Sequence, residues 1–468
     1  AGVKLVLWQI PVIKYERAEH GRQLDLDEKY AIENGLCIKN GDGSPYRITE
    51  MWFGNSLMPD FTNPETRRWW FEKRRYLTEQ MHVAGFKTDG GEFLFDPEAY
   101  SSDGRTGYEL HNEYPLLYEG AYHEFMDETI GRGKGLTFSR AGFTGAQKYP
   151  AHWAGDQVSE FSELRGQLVA GLSLGLTGVP FWGFDIGGFA GNFPSTELYL
   201  RSAAFAAFAP IMQFHSEPRY GQYYMTEREH WNNDRSPWNM AEANRDESIV
   251  PIYRLFANLR MNLMPYILGE ARYSSRTARP MMAHLIYDFL ESDGDAVMDI
   301  EDEYMFGRSL LVAPIITEGE SSRSIYLPRG RWLDLWTGET IEGGVRVERA
   351  CGLDRIPVFV KYGSVLPVSL NSGMCMGTTA PEGRMGNTLG KHENFALLIY
   401  GGMAEADIED DAAGTFRLSW SKGKPVTEGE RRCPVTVFLM EEELPCPDGD
   451  SRVGGNIFGR SMNGVRIE

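Results

Sequence analysis

Between residues 3 and 217 the chain repeats one pattern: a short apolar run that ends in polar or glycine-rich residues, then an amphipathic stretch. The runs are VKLVLWQIP (3–11), HVAGFKTD (82–89), GLTFSRAG (135–142), GLTGVPFWGFDIGG (175–188) and APIMQFHSE (209–217). The stretches between them read as helices. NPETRRWWFEKRRYLTEQMHV (63–83) opens with Asn63 as N-cap and Pro64 at the first helical position. SEFSELRGQLVAGLSLGL (159–176) and STELYLRSAAFAAFA (195–209) are two more. Buried strands alternating with helices indicate a parallel sheet covered by helices. The unit is too long for a small doubly wound domain. Its polar residues gather at the C-terminal strand ends, where a β/α barrel builds its active site. The expectation is therefore an α/β fold, a (β/α)8 barrel over residues 1–300, closed by one long helix at 248–272. From residue 301 short strands with Gly and Pro turns, among them SLLVAPIIT and IPVFVKYGSVLPV, predict a β-sandwich to residue 375. A second β unit follows over 376–468, with a Gly- and Met-rich linker or long loop near 371–390.

A length of 468 residues exceeds one ordinary core, so at least two domains are expected. Lys plus Arg number 47 against 66 Asp plus Glu, a formal charge of −19. That argues against nucleic acid or an anionic membrane as partner. The acids are spread along the chain and serve mainly solubility; homo-oligomerisation stays open. Cys37, Cys351, Cys375, Cys433 and Cys446 form no CxxC pair, which points to free thiols in a reducing, cytoplasmic setting. No apolar run of about 18 residues and no signal-peptide pattern is present. A leader already removed would leave no trace, so the compartment stays open. The nine histidines show no HxH or HExxH spacing, which disfavours a metal hydrolase. Neither a metal nor a cofactor is expected.

Five strand ends carry the chemistry. In GFKTDGGEF, Asp89 either caps a helix or is a reacting acid. In SRAGFTGAQKYPAHWAGDQ, Arg140 ends one strand and Trp153 and Asp156 the next; Asp156 is open to the same two readings. In PFWGFDIGGF, Asp185 sits among rings and glycines that suit a sugar, while Phe181 and Trp182 serve either the core or a ligand. His215 in QFHSE is structural or catalytic. One mouth carrying two carboxylates and hydroxyl-binding partners, without a metal, suits glycoside hydrolysis.

These stretches resemble glycoside hydrolase family 31, the α-glucosidase and α-xylosidase family. FKTDGGE is similar to its nucleophile motif in the α-xylosidase form. The Arg140–Asp156 stretch is similar to the run from the substrate-binding arginine to the acid/base. FWGFDIGGF, FHSE, RSPW (235–238) and MFGRSLLVAPI follow in family order. The resemblance implies a retaining, exo-acting α-glycosidase that releases terminal α-linked sugars. Asp89 is then the nucleophile and Asp156 the acid/base, while Trp8, Lys87, Arg140, Trp153, Trp182, Asp185 and His215 line the sugar subsite. The partner is an oligosaccharide or other α-glycoside. A transglycosylase shares these residues and differs only in the acceptor. A non-catalytic carbohydrate-binding relative should have lost an acid, and both acids are present.

Two features depart from the family pattern. The chain starts where the family's third barrel strand would lie, so the barrel is expected to be partial. Gly90 stands where relatives carry a bulky residue. It serves either a sharp bend of the backbone or an open space beside the sugar, the latter suiting xylose, galactose or an N-acetylated hexosamine.

Overall fold

The computed structural model describes residues 3–15, 22–49, 52–149, 151–216, 235–377, 390–402, 404–421, 424–441 and 451–467. The chain divides into two compact units, residues 1–153 and 154–468.

The first unit is built on four parallel strands, β1 (Val6–Gln9), β2 (Gly85–Thr88), β3 (Leu136–Ser139) and β4 (Ala151–Trp153). Trp8 pairs with Lys87 and Lys87 with Phe138, one register row across three strands. Strand side chains alternate, so Phe86 and Thr88 turn one way and Lys87 the other. Phe86 is fully buried and meets the Tyr122 ring edge-on at 5.1 Å. Tyr122 belongs to the helix Tyr114–Thr129, whose Tyr118, Phe125 and Met126 complete this layer. The helix Pro64–Glu72 starts as its residues dictate: Asn63 accepts from the Glu65 amide, and Pro64 occupies a position that needs no donor.

In the second unit β5 (Phe181–Asp185) and β6 (Ile211–Gln213) pair in parallel. The stretch expected as one helix at 248–272 is two, Ile249–Asn262 and Met264–Thr277. Pro265 is the reason: without an N–H it cannot continue the first helix, and it fits the first turn of the next. The following β region is antiparallel in its first sheet, in the order Thr340–Glu342, Arg331–Asp334, Val358–Lys361, Leu310–Val312, Tyr304–Phe306, Met282–His284. A second six-stranded sheet contains Ser364–Leu370, Asn394–Tyr400 and Val435–Leu439, and the strands between 404 and 431 form a three-stranded meander. Of the stretch near 371–390, residues 378–389 lie outside the described residues.

Candidate active site

Parallel strands bring their C-terminal ends to one edge. That is why Trp8, Asp89, Arg140 and Trp153, far apart in the chain, meet in the first unit. Asp89 is 6% exposed. Its Oδ2 accepts from the Trp8 indole Nε1 at 2.7 Å. Its Oδ1 accepts from the Gly90 amide at 2.8 Å and lies 3.1 Å from the Arg140 guanidinium. Arg140 turns its other edge onto Glu92, with contacts of 2.9 and 3.2 Å. Asp89 is thus oriented by an indole, a backbone amide and a cation, and the cation is itself oriented by a second acid.

Lys87 reaches over the Trp153 ring, its Nζ 4.2 Å from the centroid, with Phe138 at 5.9 Å. The buried Trp153 therefore meets a cation. Gly90 has φ +72°, and a Cβ there would come within 2.7 Å of Ile10 Cδ1 and of the Phe93 ring. No open space lies in that direction. The expectation of room beside the sugar is corrected: Gly90 makes the bend, and its neighbours fill the place of a side chain.

Three residues that the sequence reading left without a role join this group. Glu92 holds Arg140. Trp52 and Phe53 extend the aromatic surface from Trp8, with ring centroids 5.9 and 6.5 Å away, and the Arg140 guanidinium lies 5.9 Å from the Trp52 ring. The adjacent Trp and Phe before Gly54 were the available signal.

In the second unit Asp185 ends β5 fully buried. Gln213 donates to its Oδ1 at 2.9 Å and Gln157 to its backbone carbonyl at 3.0 Å. Asp156 is exposed and immediately precedes Gln157. The Gln157 carbonyl accepts from the Phe189 and Ala190 amides at 2.8 and 3.1 Å, which ties the Asp156 loop to the turn after Asp185. Gly188 permits this closeness: φ is +94°, and a Cβ would meet the Ser159 backbone within 3 Å. The exposed His215 lies beside Phe189, ring centroids 5.3 Å apart.

Trp182 is 1% exposed, packs on Gly171 and lies 5.6 Å from the Phe184 ring in the hydrophobic core. Alternation explains it: positions 182 and 184 turn to the helix layer, and 185 turns away. Of the two readings left open for this tryptophan, its surroundings are those of the core.

A model of the "Glycosyl hydrolases family 31 TIM-barrel domain" matches residues 1–270, and one of the family's C-terminal domain matches residues 278–366. An isomaltosyltransferase of Sporosarcina globispora is 40% identical over 89% of this chain and 37% of its own length. A 1,3-alpha-isomaltosidase of Kribbella flavida is 40% identical over 77% of the chain and 48% of its own. The cycloalternan-forming enzyme of Listeria monocytogenes, solved with a pentasaccharide substrate, superimposes with a TM-score of 0.87 at 33% identity, covering 100% of this chain and 45% of that one. The cycloalternan-degrading enzyme of Trueperella pyogenes, solved with a covalent intermediate, gives 0.72 at 38% identity, covering 78% of this chain and 48% of that one. The chain thus spans about half or less of the length of these relatives. With its first 270 residues matched to the family's barrel and the next stretch to its C-terminal domain, the chain belongs to glycoside hydrolase family 31.

Proposed function

We propose that this chain carries out retaining α-glycoside chemistry on oligosaccharides that contain an isomaltosyl unit, with Asp89 as nucleophile and Asp156 as acid/base. The observation that carries the reading is the buried Asp89 carboxylate, aimed by Trp8, the Gly90 amide and Arg140. Asp89 attacks the anomeric carbon while Asp156 protonates the departing oxygen. Asp156 then takes the proton of an incoming hydroxyl as the ester to Asp89 is broken. Two displacements at one carbon preserve the anomer.

Trp8, with Trp52 and Phe53, offers apolar ring faces to the sugar; Lys87, Asp185 and His215 bind hydroxyls; Trp153 is the floor under Lys87. Trp182 supports β5 from the core. The proposed division is 1–300 for the barrel and 301–375 and 376–468 for the two β units, with Met282–His284 lending a strand to the first antiparallel sheet and Ser364–Leu370 one to the second. The isomaltosyl preference is supported by the names of the relatives, two of which act on or transfer that unit. Transfer to a sugar is the second reading, favoured by the isomaltosyltransferase likeness. The test is turnover of 4-nitrophenyl α-isomaltoside against the α-glucoside, α-xyloside and α-galactoside, with and without a glucose-terminated acceptor. Preference for the isomaltoside is expected. New oligosaccharides with the acceptor identify a transferase, and free isomaltose alone a hydrolase. Turnover of the xyloside or galactoside in preference to the isomaltoside refutes the substrate class.

A further inference from the structure

Thr88 and Ser139 immediately precede Asp89 and Arg140, and they are register partners across β2 and β3. Their hydroxyl oxygens lie 2.5 Å apart, and Thr88 Oγ1 is 3.4 Å from the Phe138 carbonyl. Both are buried. By alternation Thr88 shares the face of Phe86, towards the helix Tyr114–Thr129, and Ser139 lies beside it. In the middle of that helix sits Glu119, 1% exposed, with Oε2 lacking a hydrogen-bond partner among the described residues. Burial pushes this carboxyl well above the usual carboxylate range; the neighbouring Ser139 hydroxyl works against the rise, and the Glu92 charge adds to it. Packing does not account for an acid at this position, because the apolar residues of the helix already bury the layer. An acid among them costs free energy unless its proton is used.

We propose that Glu119 is a positioning residue for the nucleophile. It donates to the Ser139 hydroxyl, Ser139 donates to Thr88, and Thr88 donates to the Phe138 carbonyl. The relay runs in one direction only when its first member carries a proton. A carboxylate would reverse it, leave the Phe138 carbonyl without the Thr88 donor and bury a charge with no ion-pair partner among the described residues. The relay locks the ends of β2 and β3 one residue before Asp89 and Arg140. Their mutual geometry therefore depends on it, and misplacement by about 1 Å costs on the order of 10²-fold in rate. The inference rests on Asp89 being the nucleophile.

The experiment is covalent trapping by 5-fluoro-α-isomaltosyl fluoride, followed by mass spectrometry of the Asp89 peptide. Fluoride leaves without a proton, so the rate reports on Asp89 and not on Asp156. Glu119→Gln keeps a donor at the head of the relay and should trap within about threefold of the unaltered protein. Glu119→Ala and Ser139→Ala should each trap about 10²-fold more slowly, with the concentration for half-maximal trapping changed less than about threefold, because the loss is in geometry and not in binding. Ser139→Ala removes one oxygen and covers the case in which Glu119→Ala does not fold. A folded Ser139→Ala protein that traps at the unaltered rate overturns the inference. So does Glu119→Gln as slow as Glu119→Ala, which would show that the negative charge and not the donor matters. Unaltered protein that turns over isomaltosides but is not labelled at Asp89 refutes the assignment of the nucleophile, and the relay's purpose with it.

Discussion

Replacing Gly90 separates the two readings of the glycine that follows Asp89. Its φ of +72° belongs to the left-handed region, where an L-residue costs roughly 1–2 kcal/mol. A Cβ would also press on Ile10 Cδ1 and the Phe93 ring, each at 2.7 Å, and overpacking of this kind costs about 1–3 kcal/mol. Gly90→Ala should therefore lose about 2–5 kcal/mol, and Gly90→Phe at least as much. The Gly90 amide holds Asp89 Oδ1, so the shift also moves the carboxylate. The assay pairs urea unfolding with kcat/KM on one compact and one bulky α-glycoside. Both substrates should slow by the same factor, their ratio staying within about threefold, while the unfolding midpoint falls. If Gly90→Phe keeps full stability and loses only the bulky substrate, by tenfold or more, the space beside Gly90 is real and the packing argument fails.

Asp89→Asn should abolish turnover of every substrate, whereas Asp156→Asn should spare glycosyl fluorides and lose about 10² to 10⁴-fold on glycosides with poor leaving groups; equal losses on both would remove Asp156 from the acid role. Arg140→Met deprives Asp89 of its cation at 3.1 Å, and kcat/KM should fall about 10 to 10²-fold, with Glu92→Gln doing less because the Arg140–Asp89 contact survives; an Arg140→Met enzyme within twofold of the parent would show that the arginine does not serve turnover through Asp89. Burial pushes Glu303 from 4.5 up to about 7, so the folded state holds its proton more tightly than the unfolded chain. Stability should then fall as pH rises from about 4.5 through about 7, by up to about 3 kcal/mol, and Glu303→Gln should flatten that slope in urea titrations across the window.

What could be read in advance was local. Asn63 and Pro64 announce a helix start because capping needs only the next few residues. Asp89 and Arg140 announce strand ends because an apolar run followed by charge and glycine cannot continue a buried strand. Pro265 is a legible helix break too, but the apolar period runs through it and masks the division into two helices. Glu119 was invisible for the opposite reason. In YPLLYEGAYHEFMDET an acid among rings reads as a residue of the solvent face, and only the packing of strands against that helix buries it. Trp182 was undecided because aromatic residues suit a core and a sugar equally, and the face on which each position falls depends on which side the helices cover.

By itself the sequence determined a succession of strands alternating with helices in the first part of the chain, with charged residues at the strand ends, since the apolar period and the helix caps act over a few residues. Tertiary structure alone decided which groups touch Asp89. Trp8 is 81 residues from Asp89, and Thr88 is 51 from Ser139. No local rule selects such pairs; they follow from strand register, which slides side chains past one another in whole residues until one face is buried. The same packing filled the space beside Gly90 with Ile10 and Phe93, turning a position that reads as a gap into a bend whose amide holds the Asp89 carboxylate.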